Sequence, residues 1–289
     1  MRFYSRPTLL LPSLALVAWI LILLPGDGTA TSLRKTYLTE RKSVLIGVGA
    51  AVPLIVEQSL PPNDSAQPAL INRPILLDNW AAHALGGRYF AGKSNFLDGD
   101  IGSAITPVAG ALGLAAVNLT WPERRPGKDA LQDLYLYNCG IWATAGVTGI
   151  AKHLIARPRP FQYYYPDSAR RHEPDYSETR KSFFSGHASS SFFAMTYLNK
   201  RVRTAMRQRL SSSDYHNWRW LPPTVLFSWS SYVGVTRIRC YKHFLSDVAV
   251  GAVAGALLAE LFYRLADQAE AVSDANGIEK PIFMITLPL

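Results

Sequence analysis

Five long apolar segments dominate the chain from residue 101 onward, and their pattern predicts helices. They cover residues 101–121, 134–151, 182–199, 221–236 and 248–259. The first carries no charge over its whole length, and as a helix it would span about 32 Å. Gly251 and Gly255 form a small-xxx-small pair, which is typical of helices in close contact. No alternating strand pattern of useful length competes, so we predict an all-α fold, a helical bundle with several membrane-embedded helices.

The amino terminus carries one further apolar run. Two arginines precede an uncharged stretch over residues 9–24, which is short for a membrane span of roughly 20 residues. Gly28 and Ala30 offer a small-x-small cleavage site before Thr31, as in a secretory signal peptide. An uncleaved membrane anchor fits the same run. Both interpretations direct the rest of the chain toward or across a membrane.

Between this run and the bundle, the pattern is less regular. Residues 44–56 form an apolar run interrupted by Pro53, which favours a buried or interfacial helix over a full span. Residues 57–100 are rich in Pro, Asn, Asp and Gly, with one short helix predicted near 77–85. We therefore expect a signal peptide or anchor (1–30), an amino-terminal extension of unknown role (31–100), a helical bundle (101–265) and a carboxy-terminal tail (266–289).

Composition narrows the class of protein. Hydrophobic residues make up 48% of the chain and charged residues 18%, which excludes intrinsic disorder, a collagen-like repeat and a simple nucleic-acid tail. The net charge of +9 suits nucleic acid, anionic lipid or a phosphate-bearing substrate, or serves solubility alone. Cys139 and Cys240 are too few for a Cys-based zinc site. One disulfide or two free thiols both remain open.

Basic residues cluster in two links between the apolar segments, at residues 121–128 and 200–209. If the helices cross a membrane, both links would lie on the cytoplasmic side. The links around residues 152–182 and 237–247 would then lie together on the opposite face. The alternative is that the basic links simply cover the surface of a soluble protein.

The two links on that shared face hold most of the residues with candidate chemistry, and the others lie just after the first link. The full set is Lys152, Arg159, Ser185, Gly186, His187, Arg237, His243 and Asp247. His243 and Asp247 are four residues apart and would share one face of a helix. A carboxylate there can accept the Nδ1 proton of His243, which leaves Nε2 free as a nucleophile or base.

The remaining candidates suit an anion. Ser185 and Gly186 precede an apolar helix, whose first turn offers free N–H groups and the positive end of the helix dipole. Lys152, Arg159 and Arg237 add three cations, and each charge-assisted hydrogen bond contributes roughly 1.5–3 kcal/mol. This combination matches a phosphoryl group, which spreads its charge over several oxygens in the transition state.

Together the three motifs resemble the signature of the type 2 phosphatidic acid phosphatase and vanadium haloperoxidase superfamily. They read Lys152 to Arg159-Pro160, Ser185-Gly186-His187, and Arg237 to His243 and Asp247, in order and at matching spacing. The resemblance covers roughly residues 100–265. Phe184 stands where the family usually has Pro, and Thr236 where it usually has Ser. Arg157 and Arg239 fall outside the pattern.

The resemblance implies a role for each motif residue. His243 is expected to be the nucleophile of a phosphohistidine intermediate, with Asp247 as its orienting partner. His187 is expected to protonate the leaving oxygen and later to activate water. The implied phosphate cradle consists of Lys152, Arg159, Ser185, Gly186 and Arg237. The chemistry implies no metal or other cofactor.

The resemblance also implies a metal-independent phosphatase that acts on a lipid phosphate or diphosphate. Membrane members of the family usually have six spans and an extracytoplasmic site. We therefore expect the chain in a cytoplasmic-type inner membrane with its site facing the periplasm, or membrane-associated in the periplasm after signal cleavage. The expected partners are the lipid substrate and the membrane, and not nucleic acid; the oligomeric state stays open. Alternatives are a vanadium-dependent haloperoxidase, a non-enzymatic phospholipid-binding or transport protein, and a His/Asp metal site.

Overall fold

The computed structural model describes residues 41–61, 68–86, 101–120, 128–166 and 179–276. The predicted signal peptide or anchor (1–30) lies outside these ranges. So do most of the first basic link (121–127) and the end of the predicted tail (277–289). Within the ranges given, all regular structure is helical and no strand occurs. The predicted all-α fold class is confirmed.

The helices follow the apolar pattern closely. They are α1 (Arg41–Ser59), α2 (Asp78–Leu85), a π-helical turn (Ile101–Ile105) that leads into α3 (Thr106–Leu119), α4 (Lys128–Ile155), α5 (Pro160–Tyr164), α6 (Gly186–Arg209), α7 (Ser212–Trp218), α8 (Leu221–Arg239) and α9 (Leu245–Asn276). Each of the five long apolar segments overlaps one of the long helices, although residues 182–185 precede α6. The shorter runs at 44–56 and 77–85 correspond to α1 and α2.

The predicted basic link at 200–209 is wrong, because these residues form the last turns of α6. Lys, Arg, Ala, Met and Gln are all good helix formers, and the segment contains no Gly or Pro to end the helix. The charged residues at 200–209 therefore reflect different surroundings along α6, and they do not mark the end of the helix. Arg201 even points into the protein, where it is fully buried against Asp133 of α4.

α6 is the central helix of the bundle. It contacts α3, α4, α8 and α9, and its most extensive contact is with α9. The buried rings of Tyr137, Phe193, Tyr197 and Phe262 fill the space between α4, α6 and α9. α1 packs on the outside of α4, while α2 packs on α8 and α9. The position of α2 matters for function, because it lies at the end of the bundle where the motifs meet.

Two glycines let α9 approach α6 backbone to backbone. A Cβ atom on Gly251 would lie 2.6 Å from the carbonyl oxygen of Ser185, and one on Gly255 would lie 2.1 Å from that of Ser189. Neither distance leaves room for a side chain. The small-xxx-small pair therefore serves helix packing, as predicted, and it fixes the start of α6 against the first turns of α9.

Among the residues that the structure describes, two helical segments are long and apolar enough to cross a membrane, Gly102–Leu119 and Leu245–Ala266. Their outward faces are apolar as well as their inward ones, with Leu112 and Leu257 about two thirds exposed. A third apolar helix, Val44–Ser59, is shorter. The outer surface of these helices suits contact with lipid, since a water-exposed face would be expected to carry polar residues.

Candidate active site

The second motif forms the start of α6. Ser185 is the N-cap residue, and its Oγ accepts a hydrogen bond from the backbone N–H of Ala188 at 3.4 Å. The N–H of Ser185 itself donates to the carbonyl oxygen of Asp247 at 3.0 Å. The predicted helix start is confirmed, and its first N–H groups point toward the end of the bundle where the other two motifs lie.

The first motif reaches the same place from α4. Lys152 lies in the last turn of α4, and its Nζ is 3.4 Å from the position that a Cβ would occupy on Gly186. Arg159 donates its backbone N–H to the carbonyl oxygen of Thr179 at 2.9 Å and its Nη1 to that of Lys242 at 3.3 Å. The first motif therefore contacts both of the others.

The third motif spans the turn from α8 to α9. The N–H of Tyr241 donates to the carbonyl of Ile238, and the N–H of Lys242 donates to that of Arg237. With Tyr241 in the left-handed region (φ 52), these two bonds form a Schellman motif. The N–H of His243 also donates to the carbonyl of Arg237, at 3.3 Å. The spacing of Arg237 and His243 is thus set by the C-cap of α8.

Tyr241 holds this turn under strain, because a bulky residue at positive φ is unfavourable. Its ring packs against Tyr164 and Tyr165, with centroids 5.5 Å and 5.1 Å away. Its hydroxyl donates to the carbonyl of Ala82 in α2 at 3.3 Å. The aromatic contacts and α2 together keep the turn in a conformation that Gly would adopt more easily.

His243 is buried at the centre of the three motifs. Its Nδ1 lies 2.6 Å from the carbonyl oxygen of Ser182. A carbonyl can only accept, so Nδ1 carries the proton and Nε2 of the neutral ring keeps its lone pair. This is the tautomer that the sequence predicted, although a different partner selects it.

Burial lowers the pKa of His243 well below its usual value, because the imidazolium would lose its hydration. The positive charges of Arg159, Lys152 and Arg237 lower this pKa further, and the imidazole of His187 acts in the same direction. The three predicted cations and His187 are therefore all within electrostatic reach of His243. At neutral pH the His243 ring is uncharged.

Asp247 does not contact His243, so the predicted carboxylate–imidazole contact is wrong. One oxygen of Asp247 accepts from Arg157 Nη1 at 2.6 Å. The other accepts from the hydroxyl of Ser182 at 2.5 Å and from the N–H of Phe244 at 2.9 Å. Ser182 therefore lies between the two residues, with its hydroxyl on Asp247 and its carbonyl on His243.

The helix boundary explains this correction. α9 begins at Leu245, so His243 precedes the helix and the i, i+4 relation does not apply. Asp247 occupies the third helical position and reaches back to the N–H of Phe244, as the acidic residue of a capping box does. Its carboxylate is directed at the helix start and not at the imidazole.

His187 lies in the first turn of α6, beside the π-helical turn that precedes α3. A Cβ on Gly102 would lie 2.7 Å from the Cβ of His187, so the two backbones are close. The helix start places His187 next to Gly186, on the same side as the charges that act on His243. The position suits proton transfer to a group bound above the helix start.

Arg157 and Ser182 are the residues that the motif pattern missed. The Arg157 guanidinium is fully buried and binds Asp247 and also Asp78 of α2. Ser182 joins Asp247 to His243. The sequence does not distinguish Arg157 from the motif arginines, and its partner Asp78 is 79 residues away along the chain. The one sequence signal for Arg157 was its position in the same short loop as Arg159.

The structure bears on two alternatives, a His/Asp metal site and a disulfide between the two cysteines. In the ranges that the structure covers, no three His, Cys, Asp or Glu side chains are grouped so that they could hold a metal ion. A His/Asp metal site thus finds no donor set there. Cys139 and Cys240 are both free thiols, Cys139 buried in the core and Cys240 at the C-cap of α8.

Comparison with known proteins agrees with the motifs. Residues 134–270, which contain all three motifs, match the PAP2 superfamily model. Human phospholipid phosphatase 2 is 31% identical over 179 residues, covering 52% of this chain and 59% of that protein. Mouse phospholipid phosphatase 1 is 32% identical over 142 residues, covering 42% of this chain and 47% of that protein. The chain thus spans about half to three fifths of the length of these relatives. The match over residues 134–270 and the two relatives support the resemblance of the motifs to the type 2 phosphatidic acid phosphatase superfamily.

Proposed function

We propose that this protein hydrolyses a lipid phosphate or diphosphate through a phosphohistidine on Nε2 of His243. The observation that carries the proposal is the 2.6 Å contact of Nδ1 with the Ser182 carbonyl, which leaves the Nε2 lone pair free. Three cations act on the same ring. A neutral nucleophile surrounded by positive charge suits attack on an anionic phosphorus centre. The names of the relatives, phospholipid phosphatases, support a lipid as the carrier of the phosphate.

In the first step the cradle holds the phosphoryl oxygens. Lys152, Arg159 and Arg237 supply charge, and the start of α6 at Ser185 and Gly186 supplies N–H donors. Nε2 of His243 forms a bond to phosphorus while the bond from phosphorus to the lipid oxygen breaks. His187, protonated at the outset, transfers its proton to that leaving oxygen.

In the second step His187 is neutral and takes a proton from water. The resulting hydroxide attacks phosphorus, the P–N bond breaks, and the bonding electrons return to Nε2 of His243. Inorganic phosphate leaves and both histidines regain their starting states. The Nδ1–H bond to the Ser182 carbonyl persists throughout, so the ring keeps its orientation while its charge rises and falls.

We further propose that the site faces the extracytoplasmic side of a membrane. Ser185 and the basic residues 200–209 lie at opposite ends of α6, which at 24 residues is about 36 Å long. Basic residues favour the cytoplasmic side of membrane helices. The site, at the other end of α6, would then lie near the outer surface, where a lipid headgroup can enter from the bilayer.

Phosphate release from a panel of lipid phosphates tests the nucleophile. The panel should include phosphatidate, a prenyl diphosphate and phosphatidylglycerophosphate. We expect His243→Ala to reduce hydrolysis to below about 1% of wild type, because no other group can form the intermediate. His216→Ala is the matched control: His216 is exposed on α7, and its loss should leave the rate unchanged.

The intermediate itself can also be trapped. Brief reaction with a ³²P-labelled substrate followed by quenching should label the wild-type chain with an acid-labile, alkali-stable phosphate. His243→Ala should remain unlabelled. Hydrolysis by His243→Ala above a few per cent of wild type, or labelling of that variant, would overturn the assignment.

A further inference from the structure

A buried ion cluster connects the amino-terminal extension to the active site. We call it the site-end cluster; it consists of Asp78, Arg157 and Asp247. Arg157 Nη2 lies 2.7 Å from Asp78 Oδ2, and Arg157 Nη1 lies 2.6 Å from Asp247 Oδ1. All three side chains are at most 1% exposed. One guanidinium therefore bridges α2 and α9, two helices that are far apart in the sequence.

Asp78 binds α9 directly as well as through Arg157. Its Oδ1 accepts from the backbone N–H of Ser246 at 2.8 Å, and its Oδ2 accepts from the Ser246 hydroxyl at 2.9 Å. Oδ2 also accepts from the N–H of Ile75 at 2.8 Å, which anchors Asp78 to its own segment. Asp78 thus holds the residue next to Asp247 in the first turn of α9.

The Arg157 guanidinium contacts the same turn of α9 at three points. It lies over the Phe244 ring, 4.1 Å from the centroid. Its Nη1 donates to the hydroxyl of Ser246 at 2.8 Å in addition to Asp247. Phe244 directly follows His243, so whatever fixes this turn also fixes the backbone next to the proposed nucleophile.

Ser182 completes the connection to the imidazole. Its hydroxyl donates to Asp247 at 2.5 Å, and its N–H donates to the carbonyl of Arg157 at 3.1 Å. Its own carbonyl accepts from Nδ1 of His243. The carbonyl that selects the tautomer of His243 is therefore held from both sides by members of the site-end cluster.

We propose that Asp78 is a positioning residue for the phosphoryl transfer. Through Arg157 and Asp247 it fixes the Ser182 carbonyl, and the carbonyl in turn fixes the tautomer and orientation of His243. The inference rests on the proposed function. Asp78 precedes residues 134–270, the part that matches the family model. This role of Asp78 would give the extension at residues 31–100 a part in the chemistry. The sequence alone had predicted no role for that extension.

A purely structural role for Asp78 is the competing explanation, and the opposite end of the bundle provides a matched control. There Asp133 and Arg201 form a second pair that is at most 1% exposed, and Asn118 Nδ2 donates to Asp133 at 3.0 Å. We call Asn118, Asp133 and Arg201 the opposite-end cluster. It has the same Arg–Asp chemistry and the same burial, but it lies far from His243 along α6.

The test compares Asp78→Asn with Asp133→Asn in the full chain. Asp78→Asn places an amide NH₂ against donors, so it loosens the cluster without emptying the space. We expect kcat to fall about 10- to 100-fold while KM changes less than about threefold, because the phosphate cradle stays in place. Asp133→Asn should lower the thermal midpoint of unfolding and leave kcat within about twofold of wild type.

The tautomer provides a readout that a structural role would not change. In protein labelled with ¹⁵N-histidine, His243→Gln identifies the His243 signals. Wild type and Asp133→Asn should show a protonated Nδ1 and a bare Nε2. Asp78→Asn should show a mixture of both tautomers, because the Ser182 carbonyl no longer has a fixed position.

Equal kcat in Asp78→Asn and Asp133→Asn, or an unchanged tautomer in Asp78→Asn, would overturn the proposal. If Asp78→Asn does not yield folded protein, Ser246→Ala decides the question with a smaller expected effect, since it removes the hydroxyl that bonds both Asp78 and Arg157 and leaves their direct contact in place. A fall in kcat of more than about threefold at constant KM would then support the positioning role, and an unchanged kcat would refute it.

Different results would refute the positioning role of Asp78 and the assignment of His243 as the nucleophile. If His243→Ala is inactive while Asp78→Asn behaves like its control, the positioning role falls and the proposed nucleophile stands. If His243→Ala remains active, the proposed function falls first, whatever Asp78→Asn does.

Discussion

The two buried clusters differ in how their charges balance. In the opposite-end cluster one arginine, Arg201, meets one carboxylate, Asp133, and a neutral amide. In the site-end cluster one arginine, Arg157, meets two carboxylates, Asp78 and Asp247. The guanidinium of the site-end cluster thus contacts one carboxylate more than that of the opposite-end cluster does. Along α6 the two clusters are separated by about 20 Å or more.

The additional carboxylate of the site-end cluster is explained by its position beside the proposed active site. Burying an uncompensated carboxylate is costly, and a cluster that served packing alone would be more stable if it were neutral. The cations Lys152, Arg159 and Arg237 lie close by and act on His243. We infer that the site-end cluster and the phosphate cradle compensate one another.

Removing each arginine is the strongest way to break this comparison. Arg201→Met removes the guanidinium that pairs with one buried carboxylate, which costs about 3–5 kcal/mol. Arg157→Met removes the guanidinium that two buried carboxylates share, so we expect a larger loss of unfolding free energy, beyond that range. Denaturant or thermal unfolding in detergent measures both. Equal losses, or a smaller loss for Arg157→Met, would contradict the charge argument.

A substitution at the contact between α9 and the start of α6 should have a smaller effect on the free energy of unfolding. A Cβ on Gly251 would lie 2.6 Å from the Ser185 carbonyl, so Gly251→Ala must push α9 away from the start of α6. We expect a loss of about 1–3 kcal/mol together with lower phosphate release, because the N-cap moves with the helix. Gly49→Ala on α1 is the control. Nothing lies within 4 Å of its added methyl, and helix propensity predicts a gain of up to about 1 kcal/mol.

Low pH should reduce the stability of the folded protein because of His243. Its pKa is lowered in the folded protein by burial and by the neighbouring cations, whereas the unfolded chain has an ordinary histidine. Below about pH 6.5 the unfolded state binds a proton that the native state does not, so stability falls as pH decreases, by at most about 1.4 kcal/mol per pH unit.

The thermal midpoint between pH 7.5 and 5.5 measures this effect. His243→Gln removes the titrating group and should flatten the curve. His216→Ala, at an exposed position, should not. A wild-type midpoint that is independent of pH in this window would argue against a buried neutral imidazole.

The sequence was sufficient for the helices and for the motif residues around the site. Apolar runs such as residues 101–121 correspond to helices because a buried or lipid-facing helix needs a continuous apolar surface. The Ser185 N-cap was also predictable, since Ser before Gly at the start of an apolar run has a defined local geometry.

Contacts that depend on tertiary structure were not predictable. The Asp78–Arg157 contact joins segments 79 residues apart, and no spacing rule relates them. The partner of Asp247 was missed because the prediction placed His243 and Asp247 on one helix, whereas the helix begins at Leu245 and His243 precedes it. Charge at residues 200–209 suggested a link, although Arg201 is buried within α6.

The site-end cluster has a consequence for the order in which this protein matures. Asp78 and Arg157 leave the ribosome well before Asp247, which belongs to the last helix described. Until α9 is in place, Ser182 lacks the carboxylate that holds its hydroxyl, and the turn that carries His243 has no helix to continue into. A nascent chain that lacks α9 therefore lacks the contacts that hold Ser182 and the His243 turn in place. The proposed site can be completed only after α9 has been synthesised.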